Sequence, residues 1–264
     1  MINKQDLVSI IMPAYNCEHQ LGWAIESVIS QTYKNWELII VNDASKDKTL
    51  SVIEKYQKLE NRIRLISNAS NYGAAESRNI ATKNAAGKYI AFLDADDLWI
   101  KDKLMKQIIF MKKNKYDFTY TYYENYGSDN KNLKFIQKAP FKINRLKMSF
   151  MCPIGCLTVV YNSDRLSKIY APNINRRNDY VLWLKVLEKS KSGYCLKENL
   201  AKYRLSKTGL SSNKFLNIIY YFKVIRLSFK YWLFIIPITT PIYLFIILIK
   251  KKMPLLYNQI IRLL

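Results

Sequence analysis

The stretch GKYIAFLDADDLW, residues 87–99, decides how the chain is read. Residues 88–93 (KYIAFL) form a short apolar run that favours extended backbone, and the run stops at Asp94-Ala95-Asp96-Asp97. Three earlier stretches repeat this form: residues 7–12 (LVSIIM) lead into PAYN at 13–16, 36–41 (WELIIV) into NDAS at 42–45, and 62–67 (RIRLIS) into NASNYG at 68–73. Between them, segments 20–32, 47–59 and 73–86 have helical apolar spacing. Strands alternating with helices predict an α/β fold with a mainly parallel central sheet and helices on both faces. Such sheets bind ligands beyond the carboxyl ends of their strands, so the four polar clusters are expected to meet on one edge.

The chemistry of those clusters follows from their side chains. Two carboxylates at i and i+2 on a strand exit, Asp94 and Asp96, suit a hard divalent cation that also takes phosphate oxygens from a substrate. The competing reading makes this acidic group the N-cap of a helix over 101–112. Asp43 ends another strand, where a carboxylate can accept hydrogen bonds from a base or ribose. Equally, NDASKD reads as a capping sequence for the helix that starts near Asp47.

Composition narrows the classes. Half the residues are apolar and 14% are aromatic, which excludes wholesale disorder. Four cysteines (Cys17, Cys152, Cys156, Cys195) without CxxC spacing, and a single histidine, His19, argue against zinc and for a reduced cytosolic setting. The run at 7–12 is too short for a secretory leader and is followed by Pro13. A second half begins near Tyr116, with strand-like 116–126, a polar loop near 127–133, an apolar run at 156–161, and a helix over 179–189 with Val181, Leu182, Leu184, Val186 and Leu187 as its core face. Trp183 reads as core, whereas Trp99 suits either core or a sugar-stacking platform.

Taken in order, VSIIMPAYN, SVISQTY, WELIIVNDASKDKT, NYGAAESRN and GKYIAFLDADDLW resemble the nucleotide-sugar-binding half of glycosyltransferase family 2, which has the GT-A fold. The likeness is dense over 7–106. It continues through PIGCLTVVYN, RRNDYVLWLKVL and YRLSKTGLSSNK, where it is most similar to bacterial enzymes of teichuronic acid, O-antigen and capsule assembly. The resemblance implies that Pro13 and Tyr15 line a uracil pocket, that Asp43 bonds the base, and that Arg78 lies near the nucleotide. It implies that Asp94 approaches the ribose, that Asp96, with Asp94, holds Mg²⁺ or Mn²⁺ at the diphosphate, and that Asp97 orients the donor sugar. The family's (Glu/Gln)-Asp pair falls on Asn178-Asp179, making Asp179 the implied base, although it also reads as an N-cap. Asn178 and Asn42 depart from the commoner family residues. Arg204 and the 206–214 loop are positioned to close over a diphosphate, or else form a solvated basic loop. No second carboxylate stands beside Asp179 in the sequence, which implies inversion in a single displacement.

The implied reaction is transfer of a hexose from a UDP-sugar to a hydroxyl of a saccharide carried on polyprenyl diphosphate. A polyprenyl-phosphate glycosyltransferase and a non-catalytic nucleotide- or membrane-binding module are the alternatives.

The net charge of +22 calls for an anionic partner. Residues 201–264 hold 11 Lys or Arg and no Asp or Glu, so the excess is weighted to the C-terminus and borders apolar sequence. That placement favours an anionic membrane surface over nucleic acid. Residues 215–231 read as a basic amphipathic helix, and 231–249 are uncharged and long enough to span a bilayer. Pro237 and Pro241 interrupt that stretch and favour an in-plane or re-entrant attachment. The expected organisation is a catalytic domain over 1–213 and a membrane-associating helical tail over 214–264, at the cytoplasmic face of the membrane.

Overall fold

A computed structural model of the chain describes residues 6–127, 135–205 and 214–263. Strands β1 (Val8–Ala14), β2 (Trp36–Asn42), β3 (Ile63–Ser67) and β4 (Tyr89–Phe92) pair in parallel in the order β3-β2-β1-β4. The four strand expectations therefore hold to within two residues at each end. Two-residue β5 (Leu98–Trp99) leaves this half and pairs at the far edge of the sheet. Beyond β4 come β9 (Val160–Asn162), β6 (Phe118–Tyr126) and β10 (Gly193–Arg204). Because β9 is antiparallel to both β4 and β6, and β10 is parallel to β6, strands β6 and β10 run in the same direction as β1 to β4. Two short strands, β7 (Ile136–Gln137) and β8 (Lys142–Ile143), pair antiparallel with β6 and β10. Six strand tips thus share one edge, two more than the sequence predicts.

Strand β10 has no counterpart in the sequence reading. Its middle, Leu196-Lys197-Glu198-Asn199, breaks apolar alternation, and the register against β6 shifts twice there. The apolar run at 156–161 also divides, into a helical turn over Cys156–Thr158 followed by β9.

Strands in the middle of the sheet bury both faces. Ile11, Ile39, Val41, Ile90 and Phe92 join one core, whereas Val8, Ile10, Met12, Leu38, Ile40 and Ala91 join the other. The second core is roofed by α1 (Leu21–Ile29), α2 (Thr49–Leu59) and α4 (Lys103–Asn114). The first is covered by α3 (Ala74–Asn84) and α7 (Asn178–Ser190), flanked by the short α5 (Arg145–Phe150) and α6 (Ser163–Leu166). Trp183 is fully buried there, its ring edge-on to Phe92 at 5.2 Å. Trp99 is also core: its indole donates to Leu157 O at 2.7 Å and the Lys103 ammonium covers its ring at 4.2 Å, so it offers no platform to a sugar.

The C-terminal helices correct the expected domain boundary. In α8 (Lys214–Ser228), Tyr221, Val224 and Ile225 are fully buried in the same core as α7, so one side of this helix packs as part of the domain. Next, α9 (Trp232–Lys252) runs unbroken through Pro237 and Pro241, both of which face outward. The missing proline donors therefore fall on the exposed side, while the inward side stays anchored by Trp232, Ile235, Ile236 and Tyr243. Its Trp232–Ile249 portion has a mean hydropathy of 2.3 and is long and apolar enough to cross a bilayer, yet one side is docked on the domain. The opposite side exposes Leu233, Phe234, Ile238, Ile242, Phe245 and Leu248. Finally, α10 (Pro254–Leu263) folds back, with Tyr257 buried against Met151.

One tight crossing fixes how β4 enters beside β1. Glu37, buried on β2, accepts from Ser9 Oγ (2.6 Å), Ala86 N (2.7 Å) and Arg64 (2.9 Å), and Gly87 N donates to Ser9 Oγ at 2.8 Å. A Cβ on Gly87 would stand 2.7 Å from the backbone atoms Leu7 O and Ser9 N. Gly87→Ala is accordingly expected to cost about 1–3 kcal/mol, measured as a lower midpoint in urea with an unchanged slope.

Candidate active site

The strand tips enclose a cavity of about 820 Å³ lined by Pro13, Tyr15, Asp43, Arg78, Asp94 and Asp96, among others. Six of the residues singled out by sequence therefore share one pocket. The loop after β1 and the loop after β2 are laced together: Asn16 N bonds Ser45 Oγ (3.1 Å), Lys46 N bonds Asn16 Oδ1 (2.8 Å), and Lys48 N bonds Glu18 Oε2 (2.7 Å). This bracing holds Tyr15, nearly half exposed, at the mouth as a flat ring.

Asp43 is 2% exposed and accepts three hydrogen bonds, from Asn68 Nδ2 (2.7 Å) and Tyr72 N (2.9 Å) at Oδ1 and from Gly73 N (2.8 Å) at Oδ2. It does not cap α2, whose N-cap is Lys48; the Asp47 carboxylate, one residue earlier, accepts Thr49 N at 3.0 Å. Asp43 instead shapes the 68–73 loop, and two carboxylate oxygens can take a fourth donor. Gly73 ends this loop with φ +84° and ψ 161°, backbone open essentially to glycine alone.

The acidic cluster divides its labour. It caps no helix, since α4 starts at Lys103 with Asp102 before it. Asp94 and Asp96 line the cavity. Burial and the neighbouring Asp94 charge push the Asp96 carboxyl above its ordinary range. Asp97 departs from its expected role at the donor sugar: it is 1% exposed, does not line the cavity, and Oδ1 accepts Arg204 N at 2.9 Å. Burial, then Asp94 and Asp96, raise its pKa strongly. Asp97 thereby ties the tip of β10 to the acidic loop, and Tyr126 at the tip of β6 donates to Asp96 O at 2.7 Å. Among the described residues no three His, Cys, Asp or Glu side chains converge for a metal, so a cation held by Asp94 and Asp96 would need oxygens from substrate and water.

Arg78 joins this pocket to α7. It is 7% exposed, donates from Nη2 to Asp94 Oδ1 and from Nη1 to Asn178 Oδ1 at 2.9 Å. Burial works against its charge, but Asp94 and its other acidic neighbours overcome that and hold the guanidinium ionised. The Asn178 departure thus keeps an acceptor for Arg78 without adding a carboxylate. Asp179 lies outside the cavity lining, in the first turn of α7, where Arg177 is the N-cap; its Oδ1 accepts Tyr180 N at 2.8 Å. Burial raises its pKa, opposed by Arg78 and the Tyr180 amide.

Arg204 also lines the cavity; its guanidinium stands 5.8 Å from the Trp23 ring, and its buried Nη1 has no partner among the described residues. The 206–213 part of the loop that was expected to close over a diphosphate lies outside the described residues. Asn71, Ser77 and Gln20 line the pocket without having been singled out, although Asn71 sits in the NASNYG cluster. Ser77 falls inside the quoted NYGAAESRN stretch, whereas Gln20 is uncharged and outside every quoted motif.

The model of Glycosyl transferase family 2 matches residues 9–165. The chain belongs to this family. The transferase is 44% identical over 210 residues to the Escherichia coli UDP-Glc:alpha-D-GlcNAc-diphosphoundecaprenol beta-1,3-glucosyltransferase WfgD, covering 79% of this chain and 81% of that one. It is 39% identical over 214 residues to TuaG of Bacillus subtilis, a chain assigned to teichuronic acid biosynthesis, covering 81% and 85%. Among solved structures, S. aureus TarS 1-349 in complex with UDP-GlcNAc superposes with a TM-score of 0.69 at 22% identity, over 84% of this transferase and 65% of that chain, just under two thirds of it. At that identity the likeness speaks for the GT-A fold.

Removing the Asp43 carboxylate leaves Asn68 Nδ2 and two backbone amides without their acceptor. Asp43→Ala is expected to lower stability by about 2–4 kcal/mol in urea denaturation and to speed hydrogen exchange across 68–73.

Proposed function

We propose that the chain is a metal-dependent, inverting hexosyltransferase that takes its sugar from a UDP-sugar and delivers it to a hydroxyl of a polyprenyl-diphosphate-linked saccharide at the cytoplasmic face of a membrane. The observation that carries this reading is the single pocket lined by Asp43, Asp94 and Asp96, with Arg78 linking it to the helix that bears Asp179. The names of the relatives support the substrate class: WfgD acts from UDP-Glc on a GlcNAc-diphosphoundecaprenol.

Each role follows from local chemistry. Asp43 has capacity left to accept from the base, and Tyr15 offers its ring as the facing surface. The unpartnered Arg204 Nη1 is suited to a diphosphate oxygen. Asp94 and Asp96, two crowded carboxylates with water and phosphate oxygens to complete the shell, fit Mg²⁺ or Mn²⁺. Such an ion, when bound, supplies Lewis-acid stabilisation of charge on the departing diphosphate. A mannosyltransferase of the same fold, PcManGT from Pyrobaculum calidifontis, is solved with GDP-Man and Mn2+ at a TM-score of 0.63 and 16% identity. Asp179 accepts the acceptor hydroxyl's proton as that oxygen attacks C1 of the sugar. With Asp179 as the base, the C1–diphosphate bond breaks as the acceptor oxygen attacks in a single displacement, and the anomeric centre inverts.

Membrane attachment is assigned to the outer side of α9. A helix docked along one side cannot give that side to lipid, so the exposed apolar side seats in the interface plane.

Metal dependence, the turnover of variants and the pH response of kcat test the proposal. With purified enzyme, UDP-hexose and a lipid-linked saccharide, chelation of divalent ions should abolish transfer and Mn²⁺ should restore it, while Asp96→Asn should not respond to Mn²⁺. Asp179→Asn should lower kcat by about 10²–10⁴-fold while UDP still stabilises the protein thermally. The raised Asp179 pKa sets the sign of the pH response: the base works ionised, so kcat should fall with acid through a midpoint above the ordinary carboxylate range of about 4. Full transfer activity in Asp179→Asn would reject this assignment.

A further inference from the structure

The first turn of α7 is held from two directions, and the second of them leads away from the donor pocket. Arg78 grips Asn178 from the pocket side. From the other side the hold is on Arg177, the N-cap, whose backbone sits at φ +57° without a side-chain cap bond. For a residue with a side chain that conformation is unfavourable and persists only where surrounding contacts impose it. Its side chain is held by α9: Arg177 Nη2 donates to the Tyr243 hydroxyl at 2.5 Å, and its guanidinium lies 5.4 Å from the centre of the Tyr243 ring.

Tyr243 is itself fixed. It is 3% exposed, on the inward side of α9, and stacks flat on Tyr221 of α8 at 3.8 Å and 6°. The Tyr221 hydroxyl in turn donates to Ser149 O on α5 at 3.0 Å. Across α9 from this anchor are Phe234, Ile238 and Phe245, on the exposed apolar side. A continuous chain of contacts therefore runs from the exposed apolar side of α9 through Tyr243 and Arg177 to a backbone position two residues before Asp179.

We propose that Arg177 and Tyr243 are a positioning pair through which α9 sets the place of Asp179 over the acceptor. The proposal rests on the reading of Asp179 as the base. Neither residue lines the donor cavity, so their loss should leave donor binding intact and act on the proton-accepting step. A base displaced by a fraction of its hydrogen-bond reach loses rate steeply, which makes turnover the sensitive quantity.

The test uses the full chain on vesicles of phosphatidylglycerol and phosphatidylethanolamine. Tyr243→Phe keeps the stack on Tyr221 and removes only the hydroxyl that Arg177 grips. Its kcat should fall about tenfold, with the donor KM within about twofold of the unaltered chain. Hydrogen exchange over residues 176–182, which needs no substrate, should quicken in the same variant while the melting temperature holds within about 2 °C. Arg177→Lys should retain more turnover than Arg177→Ala. Unchanged kcat and unchanged exchange in Tyr243→Phe would overturn the proposal. So would a fall in kcat matched by a lowered melting temperature and a raised donor KM, since that pattern marks a purely structural contact. Asp179→Asn is run alongside: if it turns over fully, the base assignment has failed, a result separable from any failure of the pair.

Discussion

A single buried cation makes one site out of two halves of the sheet. Arg78 projects from α3 with one nitrogen on Asp94, at the tip of the parallel half, and another on Asn178, at the start of the helix that covers the second half. A guanidinium out of water is costly unless its charge and donors are met, and here the charge and the two terminal nitrogens are met by the groups that must be brought together, with Nε left unpaired among the described residues. The geometry of the fork therefore fixes the separation between the acidic strand tip and the first turn of α7. Everything assigned to the pocket depends on that separation, because a leaving group and an attacking hydroxyl must be served from opposite sides of one sugar carbon.

Around this contact the pocket is made rigid by groups that never need to meet a ligand. Asp97 turns from the cavity to hold the backbone of Arg204, Tyr126 holds the carbonyl of Asp96, and Glu37 gathers β2, β1 and the entry to β4. Burial and the neighbouring Asp94 and Asp96 oppose a charge on Asp97 and raise its pKa strongly. The value of such buried carboxylates lies in geometry, since a carboxylate accepts from several backbone amides at fixed directions.

The parallel half of the sheet was legible because β1, β2 and β4 are buried on both faces and each ends in a polar cluster, so the apolar runs and their stops mark themselves. The convergence of Pro13, Tyr15, Asp43, Arg78, Asp94 and Asp96 follows from that pattern. The resemblance, more than the spacing, carried Asp179, which on residues alone competes with a cap; the structure gives the cap position to Arg177. What the sequence hid lies in the second half. Strand β10 is irregular, with two register shifts against β6, and its polar centre resembles a loop. The direction of Asp97 depends on Arg204, 107 residues away, a contact that no local pattern encodes. In α8, the basic residues Lys223 and Arg226 suggested a surface helix, whereas Tyr221, Val224 and Ile225 on its other side fill the core.

That burial of α8 bears on how the protein can be handled and how it can diversify. An anchor that hangs from a finished domain can be shed by proteolysis or trimmed by an engineer without harm. Here α8, the stretch before α9, is buried in the same core as α7, and excising it would open that core. A detergent-free preparation would have to keep the chain intact and replace outward residues such as Phe234, Ile238 and Phe245 with polar ones. Lineages could likewise vary that one exposed apolar stripe while the enzyme beneath it stays the same.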